Sequence, residues 1–190
     1  MISAQVAVAI GRIIERFTTE AGGPPTLCVS ALAEGADRVV AEQALAVPRA
    51  TLEVIMPLER DDYATDFTEP ESRRHFAGLL DRARAVREIK GSKSRDKADE
   101  AAGRAMVDRC DVLIAIYDGK RSGGRGGALK TMMHARKMQV PIFEISSFAP
   151  FEIKDPFGKR PTRAKRREER RGGRELRPAQ HRIDKVVKKQ

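Results

Sequence analysis

The chain has 190 residues, enough to bury a hydrophobic core in one domain without disulfide or metal staples. Its formal charge is +10, with 37 Lys+Arg against 27 Asp+Glu. Fifteen of the basic and five of the acidic residues lie in 154–190, so residues 1–153 carry 22 of each and are formally neutral. That excludes a basic folded face as the source of the charge.

The first apolar run, Val6 to Ile10, meets Arg12, Glu15 and Arg16 at once. This is too short for a membrane span and the wrong order for a signal peptide. Cys28 and Cys110 sit in apolar surroundings without the spacing of a metal or disulfide framework, which reads as reduced, buried thiols. The expected compartment is the cytoplasm, with no membrane partner.

In chain order, Val6, Ile10, Ile13, Ile14 and Phe17 recur at helical spacing and predict an amphipathic helix over 3–20, ended by Gly22-Gly23-Pro24-Pro25. Residues 26–30 (TLCVS) read as a short strand. Ala36, Val39, Val40, Ala44 and Val47 then mark a helical face. Residues 52–56 (LEVIM) form the next strand, and the acidic stretch 59–71 reads as a loop over the sheet. Phe76, Leu79, Leu80, Ala83 and Val86 predict another helix, and 90–95 a polar loop. The stripe Ala98, Ala101, Ala102, Ala105 and Met106 leads to the most apolar strand, 112–117, and a Gly-rich loop follows it. Residues 127–138 supply a helix, on which Met132, Met133 and Met138 read as core filler, and 140–145 the last strand. Strands alternating with helices of about a dozen residues predict an α/β fold with an open parallel sheet flanked by helices, over 1–153. Residues 154–190, with the run RAKRREERRGGR and no apolar face, read as a disordered basic C-terminal tail.

Ligands of open parallel sheets bind beyond the carboxyl ends of strands, where loops enter helix N-termini with unpaired N–H groups. Two loops here have that form. The first, 30–38, offers the hydroxyl of Ser30, the permissive backbone of Gly35, and Glu34, Asp37 and Arg38 around it. Its plain alternative is a polar loop in which Glu34 or Asp37 caps a helix. The second runs from Asp118 and Gly119 through Gly123, Gly124, Arg125, Gly126 and Gly127. Five glycines in nine positions free N–H groups for an anion nest, and Arg125 adds positive charge. A surface turn is the plain alternative.

The ordered segments SALAEGADRVVAEQAL, LEVIMPLERDDYATDF and DRCDVLIAIYDGKRSGGRGGALKTMMHARKMQVPIFEI resemble the SLOG superfamily, related to the LOG (lysine-decarboxylase-like) and DprA/Smf families, over about residues 26–146. The resemblance implies a Rossmann-like fold whose nucleotide-ligand site is lined by Ser30, Gly35, Asp37, Asp118, Gly119 and the glycines from 123 to 127. Tyr63 and Asp66 match the family's proline-then-aromatic stretch and border that pocket, with packing as the alternative for Tyr63. Family members open on a strand with a Gly-His-Arg-like turn. This chain opens on the following helix, so the resemblance implies a sheet short of its first strand.

LOG phosphoribohydrolases carry a PGGxGTxxE motif whose glutamate assists N-glycosidic cleavage. Aligning its glycines on Gly123, Gly124 and Gly126 puts Lys130 at the glutamate, and a cation cannot do that acid/base work. The expectation is therefore non-catalytic binding or sensing of a phosphorylated, nucleotide-like ligand, with no resident cofactor. The alternatives are a LOG-type nucleotide phosphoribohydrolase, and a DprA-like nucleic-acid module suggested by the likeness of SALAEGAD to SGxARGID. The neutral body counts against the latter and leaves only weak, nonspecific nucleic-acid contact through 154–190. A homo-oligomer is compatible with this reading. His75, His134 and His181 lack ligand spacing, so no metal is expected.

Overall fold

The computed structural model describes residues 4–18, 26–92, 94–117, 127–149 and 151–158. Met1–Pro156 form one compact unit. Of a second, Phe157–Gln190, only Phe157 and Gly158 are described, so the basic tail from 159 onward lies outside the described residues.

The chain is α/β. Helix α1 (Ala4–Thr18) is followed by β1 (Leu27–Ser30), α2 (Ala36–Leu45), β2 (Thr51–Met56), α3 (Arg60–Ala64), α4 (Pro70–Asp81) and β3 (Ala85–Glu88). Then come α5 (Arg95–Val107), β4 (Leu113–Tyr117), α6 (Gly127–Lys137), β5 (Ile142–Ser146) and the two-residue β6 (Ile153–Lys154). Local signals set the boundaries. Pro70 opens α4, where its missing N–H is not needed. The Ser94 hydroxyl caps α5 by accepting the Lys97 N–H. His134, Arg136 and Lys137 in the last turn of α6 suit the negative end of the helix dipole.

The strands form two ladders rather than the single open sheet expected from the sequence. One has the order β1-β2-β3 and is wholly parallel, with Cys28 opposite Leu52 and Val54 opposite Val86. The other has the order β4-β5-β6, with β4 and β5 parallel and β6 antiparallel to β5, which corrects an all-parallel reading. Two further corrections concern the middle of the chain. The acidic stretch 59–71 is not one loop, since it holds all of α3 and the start of α4. Val86 does not extend a helix but lies in β3, where Val86 is 47% exposed, so that edge strand shows no burial pattern that periodicity could detect.

Two apolar clusters hold the elements. Leu52, Val54 and Met56 of β2 pack with Leu32, Ala41, Tyr63, Phe67, Phe76, Leu79 and Leu80. Val6, Ile10, Ile13 and Ile14 of α1 pack with Ala44, Phe143 and Ile145. Fully burying each such aliphatic side chain contributes about 1.5–3 kcal/mol. Of the three methionines read as core filler, Met132 is buried, whereas Met133 and Met138 point outward at 60% and 51% exposure. Met133 lies off the stripe of α6 that faces inward, and Met138 follows the end of that helix.

Candidate functional site

The first loop is ordered and held from below. Strand β1 ends at Ser30, and the chain passes through Leu32 at φ 58° and Gly35 at φ 91°, ψ −114° before entering α2. Leu32 is fully buried, so its side chain's place in the core holds a backbone conformation that leucine otherwise avoids. A Cβ on Gly35 would meet nothing within 4 Å; glycine is required there by the positive φ and not by crowding.

Ser30, Asp37 and Arg38 serve this bend from within. The Ser30 hydroxyl accepts the Leu32 N–H at 3.1 Å and donates to the Asp37 carbonyl at 3.3 Å. Arg38, 3% exposed, donates through Nε to the Leu32 carbonyl at 3.0 Å and through Nη1 to the Ser72 carbonyl and hydroxyl at 2.9 and 2.8 Å. Ser72 in turn donates to Glu34, on the exposed side of the loop. The hook thus joins β1, the loop, the start of α2 and the first turn of α4.

Burial dominates the electrostatics. It pushes the Asp37 carboxyl above its ordinary value, against the lowering effect of the Ala33 and Ala31 backbone N–H groups and of Arg38. It also lowers the Arg38 guanidinium, which Glu34, Tyr63 and Asp37 partly offset. Burial, with Asp37 adding to it, raises the Cys28 thiol to about 12.

Tyr63 is 5% exposed and packs edge-on against Phe67 and Phe76, with ring centres 5.2 and 5.8 Å away. It is a core residue beneath the loop. Asp66 is exposed and holds Arg95 at 2.8 Å. Gly127 begins α6, and its carbonyl accepts the Thr131 hydroxyl at 2.7 Å. Lys130, aligned with the hydrolase glutamate, is paired with Glu100 at 3.0 Å. Asp118, Gly119, Gly123, Gly124, Arg125 and Gly126 lie outside the described residues.

Sequence reading missed the reach of Arg38 to Ser72, which lies 34 positions away. It also missed Leu32, an unremarkable apolar residue whose positive φ has no signature in composition. Glu53 escaped notice too: on β2, it accepts hydrogen bonds from Arg84 beside β3 and Arg109 before β4, which hold its carboxyl below the usual range.

Among the described residues no group of three or more His, Cys, Asp or Glu could hold a metal ion, and no helix is long and apolar enough to cross a membrane. Both cysteines are free thiols of intermediate exposure, so neither is fully buried as expected. The chain matches no protein-family model and no curated protein.

Proposed function

We propose that this chain binds a phosphorylated, nucleotide-like ligand at the carboxyl end of β1, as a Rossmann-like domain of SLOG type, without catalysing its conversion. The observation that carries the reading is the entry into α2. A ten-residue helix follows a parallel strand through a Gly35 turn that no side chain caps. Uncapped first-turn N–H groups and the positive end of the helix dipole are what a phosphate or a polar sugar edge needs. The hook of Ser30, Leu32 and Arg38 keeps that entry rigid, which lowers the ordering cost of binding. In this reading the loop 118–126 supplies the second set of N–H groups, and Lys130 stands where the hydrolases carry the glutamate that assists glycosidic cleavage.

The test is mass spectrometry of small molecules co-purifying with the full chain, followed by calorimetric titration with AMP. A co-purifying nucleotide or a saturable heat with AMP is expected, abolished in Gly124→Asp by added bulk and negative charge. No bound nucleotide together with no heat overturns the reading. Release of free base from AMP at rates on the order of 1 per second would replace it by the hydrolase.

A further inference from the structure

Helix α1 carries two arginines beside its apolar stripe. Arg12 and Arg16 stand one helical turn apart and so share a flank, and that flank borders the hairpin of β5 and β6. Between helix and hairpin lies a cavity of about 320 Å³, open to solvent, whose lining includes Arg12, Ile13, Arg16, Phe143, Ile153 and Asp155. All of it belongs to the unit Met1–Pro156.

Apolar surface and charge are separated within it. Ile13 and Phe143 are buried and form its floor, whereas Ile153 is still 43% exposed on the hairpin side. The Arg16 guanidinium lies 5.6 Å from the centre of the Phe143 ring and is paired with Asp155 at 2.6 Å, which ties helix to hairpin at one point. Arg12 is exposed and has no hydrogen bond or ion pair with any described residue. Two guanidinium groups against one carboxylate leave a net positive charge beside an apolar floor.

We propose that this cavity binds a small amphipathic monocarboxylate, a short acyl chain or a single aromatic ring bearing one carboxylate. Arg12 pairs with the carboxylate, and Ile13, Phe143 and Ile153 cover the apolar body. A guanidinium presents parallel N–H donors at the spacing of carboxylate oxygens, and those of Arg12 are uncommitted among the described residues. An apolar body removes the exposed Ile153 surface from water, which a bare anion cannot do. The volume stands at the small end of the range for ligand cavities, about 300–1,000 Å³, which suits an acid of this size. Residues 159–190 have the sign of the arginines, with 14 Lys+Arg against 4 Asp+Glu, which favours a separate molecule as the acid. The site uses neither the loop 30–38 nor the entry into α2, so it stands apart from the nucleotide reading.

The probe is octanoate, titrated by calorimetry into the full chain, with octanamide as its uncharged counterpart and acetate as the charge without the apolar body. Saturable binding of octanoate at about 1 mM or below is expected, about tenfold weaker binding of octanamide, and none detectable for acetate. Because Arg12 is exposed and uncommitted, Arg12→Gln should leave the urea midpoint unchanged, weaken octanoate about tenfold and leave octanamide unaffected. The proposal is overturned if octanoate does not bind, if octanamide or acetate binds as tightly, or if Arg12→Gln leaves the affinity for octanoate unchanged. Displacement of octanoate by AMP overturns it as well, because the acid would then sit at the entry into α2.

Discussion

The guanidinium carbon of Arg38 stands 4.2 Å from the centre of the Phe67 ring, so a cation from α2 lies buried on an aromatic of the segment before α4. The same side chain holds Leu32 and Ser72. Arg38→Met keeps the volume but leaves those buried acceptors without a donor, and should destabilise the fold by about 2–4 kcal/mol. Arg38→Lys should recover part of this, because one ammonium cannot reproduce the fork. Urea midpoints at unchanged slope measure both variants; a shift within about 0.5 kcal/mol for Arg38→Met would show that the network is not structural.

A close approach joins α5 to α6. A Cβ at Gly103 would stand 2.4 Å from the Thr131 Oγ1. Alanine ordinarily favours a helix over glycine, yet Gly103→Ala should destabilise the protein by about 1–3 kcal/mol through overpacking. Adding Thr131→Ala removes the obstructing hydroxyl and leaves only the β-carbon at an ordinary 3.5 Å. The double variant should therefore be more stable than Gly103→Ala alone. A thermal double-mutant cycle checks this, and additive effects would contradict the contact.

At Gly35 the obstacle is the backbone itself. With open space around it and φ at 91°, Gly35→Ala should lose about 1–3 kcal/mol through strain alone, and weaken AMP binding as the helix entry shifts. Comparing denaturation with calorimetry separates the effects: lost stability with unchanged AMP affinity would place the ligand elsewhere.

Glu53 gives the stability an acid limb. Hydrogen bonds from Arg84 and Arg109 hold its folded carboxyl below the ordinary value, so in mild acid the unfolded chain binds the proton that the folded chain refuses. The contribution is full above the ordinary glutamate range and is lost as pH falls through the lowered folded value. Glu53→Gln should flatten this part of the profile of urea midpoint against pH while leaving its neutral plateau lower. An unchanged acid slope would assign the limb to other carboxylates.

The Cys28 thiol, raised by burial to about 12, should resist alkylation in the folded chain. At pH 8 iodoacetamide is expected to modify Cys28 far more slowly than in urea, as followed by peptide mass spectrometry. Rapid labelling in the native state would show that the partly exposed Cys28 sulfur keeps an ordinary thiol reactivity.

Periodicity in the sequence by itself determined most of the elements. The stripes of α1, α2 and α5 and the apolar runs of β1, β2, β4 and β5 appear within a residue or two of their predicted places, because each buries a face whose spacing is local. The positive-φ turn at Gly35 was legible for the same reason, since glycine marks it within one loop. Tertiary structure alone decided that β3 exists. Its residues Ala85 to Glu88 lie mostly exposed at an edge and are held by the β2 ladder rather than by a pattern of their own. It also decided that Arg38 points inward, because Leu32, Phe67 and Ser72, which receive it, come together only when the loop, the pre-α4 segment and α4 meet. The division of the strands into two ladders under α2 belongs to the same class, as strand partnership is a long-range choice that no local spacing encodes.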